Sequence, residues 1–464
     1  MGTLLAVAVS AALYYLSAGL GDFWPAAWIA PIPVLLLAFR ASRRKTALAA
    51  FAAYFLGSHL FSYLVEIEPL GIPLLALPAA AFAGSVLVAR AAVARLPGWI
   101  AAFGFPLAWT TYEFLASLVS PHGTALSLAY TQVSVLPVIQ LASVTGIWGI
   151  TFLVTLIPSA IATAWARRDA ATLVPALVIG FTALGFGVGR LQEHPQAPEV
   201  RVGLAATDRG IGAAFRTGDP TLALNVAQAY ADRVARLAAQ GAQVVILPEK
   251  FVGVTPAGSD AIEKVFRDAA RAAHVTVIAG FNRFSPTPPL NQAVVFGPDG
   301  RILLSYEKHH MLPGPETGYL AGAAPGLFPG PGAQWGVAIC KDMDFPAWSR
   351  EYGGRGVRIL AVPAWDFVVD ARLHSRMAVL RGVEEGFSIA RSAQQGNLTF
   401  SDSYGRILGE TSSSHAPEAL LVATIPTGSG ATIYQRLGDW FGLLCAFSLA
   451  AFAGRLLRRL PIVG

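Results

Sequence analysis

The order of apolar and polar positions divides the chain sharply. Long, nearly uninterrupted apolar blocks fill the first part, short apolar runs mixed with charge fill the middle, and one more apolar block closes it. Seven blocks come first: Leu4 to Leu20, Phe23 to Phe39, Ala47 to Val65, Ile72 to Val93, Trp99 to Leu118, Val135 to Trp165 and Ala171 to Val188. About 20 apolar residues, each rising 1.5 Å, cross the hydrocarbon core of a bilayer. The blocks therefore predict seven membrane spans, and Tyr434 to Leu457, anchored at Trp440, predicts an eighth. The expected organisation is a seven-span domain over 1–190, a mixed globular domain over 191–436, and a terminal helix with a basic tail over 437–464.

Within the middle region the period changes. "VRVGLAA" and "QVVILPE" read as strands flanking the amphipathic helix "PTLALNVAQAYADRVARLAAQG", which ends on a glycine. A second helix, "AIEKVFRDAARAAH", leads to the strands "VTVIAGF" and "QAVVFGPDG", with Asp299 and Gly300 turning the chain into "RILLSYEK". A Pro/Gly-rich loop from Leu312 to Gln334, the strands "WGVAIC" and "RILAVPA", a helix around Leu373 to Glu385 and further strands to Ile425 complete the region. This order predicts an α/β sandwich, sheets inside and helices outside.

Composition agrees with a membrane protein: of 464 residues 54% are hydrophobic and 13% charged, with a mean hydropathy of +0.53. The net charge of +6 does not call for nucleic acid, because the basic excess falls in alternate short loops. Arg40, Arg43, Arg44 and Lys45 follow span two, Arg90 and Arg95 span four, Arg167 and Arg168 span six, and Arg455, Arg458 and Arg459 span eight. Gly21 to Asp22, Glu66 to Gly71 and Val119 to Gln132 carry no Lys or Arg. Both termini are thus expected in the cytoplasm and the globular domain on the far side. A cleaved signal peptide fits the first block poorly, as it lacks a basic start and six more blocks follow.

Three complementary groups stand at separate strand ends: Glu249 after "VVILP", Lys308 after "ILLSYE" and Cys340 after "GVAI". Singly, a cysteine ending an apolar strand is a core residue, and a lone Glu or Lys is solvated surface. Together they suit a nucleophile: a thiol with an ordinary pKa near 8.5 needs a base to take its proton and a cation to hold its thiolate. Ammonium and backbone N–H groups would then stabilise an oxyanion, and the carboxylic acid so formed would return its proton to a leaving group. The only other cysteine, Cys445, lies in the last apolar block, where the membrane keeps it from Cys340.

The contexts "LPEKF", "YEKHHMLPGPE" and "CKDMDFP" resemble those of the Glu-Lys-Cys triad of the nitrilase (carbon-nitrogen hydrolase) superfamily. Glu316 matches that family's second glutamate, and "HSRMAVLRGVEEGFSIARSAQQGNLTFSDSYGRI" matches the region after the nucleophile. Behind seven spans and ahead of one, the arrangement looks like the membrane-embedded apolipoprotein N-acyltransferase branch. "AWTTYEF", "SLAYTQ", "QLASVTGIWGITFLV" and "TIYQRLGDWFG" carry that likeness outside the domain.

The resemblance implies an α-helical membrane bundle plus an extramembrane nitrilase-like α-β-β-α sandwich, a monomer in the bacterial inner membrane, and no metal or organic cofactor. It also implies transfer of an acyl chain from a phospholipid such as phosphatidylethanolamine, through a Cys340 thioester, to the amine of a diacylated apolipoprotein. The alternative is a membrane-anchored amidase with the same triad. Lys341 and Asp342 depart from the usual Tyr and Glu after the nucleophile, and Ala116 from the Arg usual after the glutamate matched by Glu113. "AATDRG" and "VPAWDF" also replace the usual runs. Glu316, Lys341, Asp342, Asn291 and Trp365 are the expected supporting or substrate-binding residues. His309 and His310 beside Lys308 lack any partner cluster at ligand spacing, so no metal is expected there.

Overall fold

The computed structural model describes residues 2–58, 72–193, 197–207, 219–414 and 417–458. The end of the third expected span, the Glu66 to Gly71 loop, Asp208 to Gly210 and Arg459 lie outside the described residues. The chain forms two compact units, Met1–Glu193 with Leu437–Gly464, and His194–Arg436.

Among the described residues of the first unit, four helices are long and apolar enough to cross a membrane: Ala76–Arg95, Ile147–Arg167, Ala170–Leu191 and Trp440–Leu457. Several expected spans are instead divided. Phe23 to Phe39 gives the short helices Trp24–Ala27 and Ile32–Ala38, because Pro25 and Pro33 can open a helix but not continue one. Val135 to Trp165 is likewise not one helix. It breaks at Gly146, whose φ of +63° leaves the helical region, and only then starts Ile147–Arg167. Trp99 to Leu118 becomes Gly98–Ala101 followed by Gly104–Val119.

A buried carboxylate ties these pieces together. Glu113 Oε1 accepts from Trp109 Nε1 and from the Leu128 backbone N–H, both at 2.9 Å. Its Oε2 accepts from the Ser127 hydroxyl at 2.6 Å and the Thr151 hydroxyl at 2.8 Å. One side chain thus links Gly104–Val119, the 3-10 turn Leu128–Gln132 and Ile147–Arg167. In an apolar interior such groups must find partners within the protein. Cys445 is buried among Leu107, Phe152 and Phe452 of the same unit.

The second unit is an α-β-β-α sandwich. One sheet contains β1 (Glu199–Ala206), β2 (Val244–Ile246), β3 (Val252–Val254), β4 (Thr276–Arg283), β5 (Leu290–Phe296), β6 (Ile302–Glu307) and β13 (Ala419–Pro426). Its order is β13-β1-β2-β4-β5-β6, with β3 beside β4. The other contains β7 (Gly326–Gly330), β8 (Ala333–Val337), β9 (Ile359–Trp365), β10 (Ser388–Gln394), β11 (Asn397–Ser401) and β12 (Ile407–Ser412), in the order β12-β11-β10-β9-β8-β7. Parallel pairing joins β1, β2 and β4 in the first sheet and β8, β9 and β10 in the second.

Val202, Leu204, Ile246, Ile278, Val337, Ile359 and Leu398 fill the space between the sheets. The helices Pro220–Ala238 and Ser259–Ala273 cover the first sheet through Tyr230, Val234, Phe266 and Phe281. Pro346–Gly354 and Ala371–Glu385 cover the second through Tyr352 and Ala378. Local chemistry sets the helix ends. Asp219 caps the first by accepting from Thr221 N at 2.8 Å and Leu222 N at 3.1 Å. The stretch from Leu312 to Gln334 is not all loop, because Gly326–Gly330 pairs antiparallel with β8. Its prolines and glycines hid a short strand that lies at the sheet edge, where a missing N–H costs little.

Candidate active site

Strand ends bring the three expected groups to one face of the sandwich. Lys308 directly follows β6, while Glu249 follows β2 and Cys340 follows β8 by three residues each. The backbone there is unusual at two points. Cys340 has φ +43° and Lys250 φ +44°, a conformation L-residues seldom adopt. At Cys340 it starts the tight 3-10 turn Cys340–Asp344, which lifts the sulfur off the strand.

Glu249, Lys308, Glu316 and Asn291 are all buried. The Lys308 ammonium donates to Glu249 Oε1 and Glu316 Oε2, both at 2.8 Å. Asn291 Nδ2 donates to the same two carboxylates, at 2.6 Å to Glu249 and 2.7 Å to Glu316. The Leu312 backbone N–H adds 2.7 Å to Glu316. Burial opposes the Lys308 charge, but Glu249 and then Glu316 outweigh it and hold the ammonium well above the usual lysine range. Burial likewise opposes the Glu316 charge, yet Lys308 and Lys250 hold that carboxyl well below the usual carboxylate range.

Cys340 is partly exposed, and its thiol donates to the Trp365 carbonyl at 3.6 Å. Desolvation pushes the thiol well above its ordinary range. Glu249 and Asp366 push the same way, while Lys308 and Arg391 oppose them. A resting thiol beside a carboxylate and an ammonium can lose its proton to the one and have its charge held by the other when an electrophile arrives.

The remaining expected residues divide. Trp365 lends its backbone carbonyl to the sulfur, while its indole N–H donates to Gln395 at 3.1 Å. Lys341 and Asp342 turn into the fold. Lys341 pairs with Asp344 at 3.0 Å. Asp342 accepts from Tyr306, the Ile339 N–H and the His310 N–H at 2.6, 2.9 and 2.8 Å. His309 stacks on Trp348 with centroids 3.8 Å apart, and His310 on Phe345 at 3.7 Å, so both imidazoles serve the walls of the fold.

Three features were missed from sequence. Arg391 and Asp366, both buried, form a two-pronged ion pair beside the nucleophile. An arginine inside the otherwise neutral strand "SIARSAQ" was the available signal, since a buried charge demands a partner. Lys250 joins the carboxylate cluster through Glu316. Gly280 lets β4 pass under the Glu249 turn: a Cβ there would meet the Pro248 carbonyl oxygen at 2.1 Å and the Lys250 nitrogen at 2.9 Å.

Behind Cys340, His374 Nε2 donates to Asp370 at 2.9 Å, and Nδ1 lies 3.9 Å from Asp344. Burial opposes the imidazolium, but Asp370, Asp366 and Asp344 raise its pKa from 6.5 to about 9. A raised folded pKa stabilises the protein fully below the unfolded value and loses that contribution as pH rises through the folded one. The stability difference between wild type and His374→Gln should therefore be greatest below about pH 6.5 and fall by roughly 3 kcal/mol towards pH 9. Denaturation in detergent across that range measures it, and a pH-independent difference would contradict the charged pair.

Two family models match the chain in succession. Residues 10–160 match the apolipoprotein N-acyltransferase N-terminal domain, and residues 209–437 match carbon-nitrogen hydrolase. An apolipoprotein N-acyltransferase of Geobacter metallireducens is 28% identical over 94% of this chain and 92% of its own length. One from Haemophilus ducreyi is 24% identical over 93% of this chain and 92% of its own. Among solved structures, an amidase from Nesterenkonia sp. covers 49% of this chain and 90% of its own at 23% identity, with a TM-score of 0.43. Both family models match this one chain, which aligns with those relatives over nearly their whole length, and the chain belongs to the apolipoprotein N-acyltransferase family, the membrane-embedded branch of the nitrilase superfamily.

Proposed function

We propose that this enzyme N-acylates apolipoproteins, with Cys340 as nucleophile, Glu249 as general base and acid, and Lys308 as the cation that stabilises thiolate and oxyanion. The observation that carries the proposal is the union, in one chain, of an N-acyltransferase membrane module with a thiol-bearing hydrolase module. Glu249 takes the Cys340 proton, and Sγ bonds the ester carbonyl carbon of a phospholipid such as phosphatidylethanolamine. The carbon–oxygen bond breaks, the proton passes to the leaving lysophospholipid, and a thioester remains. The α-amine of a diacylglyceryl-cysteine then attacks the thioester carbonyl carbon, the carbon–sulfur bond breaks as the amide forms, and the amine's proton passes through Glu249 to the departing sulfur, restoring the thiol. Asn291 and Glu316 hold Lys308 and Glu249 in register for both halves.

The same reading gives the wider arrangement. The alternation of basic and uncharged loops supports eight crossings, some of them by broken helices, with both termini in the cytoplasm and the catalytic domain on the periplasmic face of a bacterial inner membrane. The enzyme works as a monomer, and holding it in the membrane of its lipid-anchored substrates raises their effective concentration.

Incubation of detergent-purified protein with phosphatidylethanolamine carrying a heavy acyl chain tests the reading. Mass spectrometry should find a hydroxylamine-sensitive acyl group on the Cys340 peptide, absent in Cys340→Ala. It should transfer to the amine of an added diacylglyceryl-cysteine peptide. Cys340-dependent hydrolysis of small amides without any lipid-derived adduct would sink the acyltransferase and leave the anchored amidase.

A further inference from the structure

Consecutive residues on an extended backbone point to opposite sides, yet Glu249 and Lys250 both reach the buried cluster. The left-handed backbone of Lys250, with Gly280 packed against the turn, turns its side chain back. Its ammonium pairs with Glu316 Oε1, while Lys308 holds Oε2 at 2.8 Å. Lys250 Nζ also lies 5.2 Å from the centre of the Tyr319 ring, whose hydroxyl donates to Asn282 at 2.8 Å. The charges therefore alternate in space as Glu249, Lys308, Glu316, Lys250. Without Lys250 the cluster would hold two carboxylates and one ammonium, a net negative charge facing a sulfur that must itself become negative. With it the cluster is neutral.

Resting on the acyl-transfer reading above, we propose that Lys250 is a further positioning residue: it compensates Glu316, so that the Lys308 charge is available to the Cys340 thiolate and the oxyanion. It touches no reacting atom and acts through Glu316. The groups facing Glu316 are Lys308, Lys250 and Tyr319, and those facing Cys340 are Glu249, Lys308, Asp366 and Arg391. Because Lys250 helps keep the Glu316 carboxyl low, its loss lets that carboxyl protonate, and release Lys308, at higher pH.

The test is single-turnover acylation of Cys340 by heavy-chain phosphatidylethanolamine in detergent, followed by intact mass between pH 4 and 9 on the full chain. Lys250→Met should slow acylation about tenfold near neutrality and move the acid limb of the rate profile to higher pH. Lys250→Arg, which keeps the charge, should leave the limb in place. A rate lowered equally at all pH values, with the limb unmoved, would mean a merely structural residue and overturn the proposal, as would an unchanged rate. If Lys250→Met does not fold, Lys250→Gln against Lys250→Arg asks the same question. No Cys340 adduct in wild type at any pH would instead overturn the acyl-transfer reading, and the role of Lys250 with it.

Discussion

Lys308→Met should abolish Cys340 acylation, by about a thousandfold or more, and at the same time cost about 3–5 kcal/mol of stability. The two losses have one cause. Lys308 is the cation between Glu249 and Glu316, and all three are buried. Removing it leaves two carboxylates competing for one Asn291 amide and for Lys250. A buried charge stripped of its partner is worse than no pair at all. The double variant Lys308→Met with Glu316→Gln separates the effects. It removes one negative charge as well, so the cluster is again neutral and more than half of the lost stability should return. Acylation should not return, because nothing replaces the ammonium that faces thiolate and oxyanion. Thermal denaturation in detergent together with the mass of the Cys340 peptide measures both. Recovery of acylation in the double variant would show that Lys308 only neutralises carboxylates.

How much of this site the sequence discloses depends on the kind of constraint. Glu249, Lys308 and Cys340 were legible because each ends an apolar run, and because complementary acid, base and thiol types are informative together. The sandwich was legible from periodicity: the two sheet-covering helices Pro220–Ala238 and Ser259–Ala273 carry clear polar and apolar faces. What stayed hidden was direction. Lys250 follows Glu249 in a short segment that alternation would send outward, and only the positive φ at Lys250 reverses it. Arg391 and Asp366 lie 25 residues apart, on β10 and directly after β9, and only parallel pairing of those strands makes them neighbours. In the membrane unit, hydropathy marks apolar blocks but not where prolines and Gly146 interrupt them. Glu113 likewise gives no sign in the sequence of the hydroxyls that satisfy it.

Asp342 illustrates the difference between lying next to a nucleophile and acting on the substrate. It departs from the usual residue of the family, and both a supporting and a substrate-binding role were open from sequence. Its side chain is fully buried and takes hydrogen bonds from three separate places: Tyr306 on β6, His310 after it, and the Ile339 N–H at the entrance to the Cys340 turn. Trp348 in turn donates to the Tyr306 oxygen at 3.2 Å. Burial, and then the Asp342 charge, keep the Tyr306 phenol protonated and therefore able to donate. Asp342→Ala would take the acceptor from three donors, two of them fully buried and the His310 N–H partly so, at about 1–3 kcal/mol each and less than additively, for an expected loss of about 3–5 kcal/mol. The turn that holds Cys340 at its left-handed φ would lose its fastening to the Lys308 strand. Acylation should therefore fall by about a hundredfold in kcat, with the KM for the phospholipid nearly unchanged. Asp342→Asn, which keeps one acceptor oxygen, should lie between. A rise in KM with stability intact would instead place Asp342 against the substrate, which its burial and its three donors leave no room for.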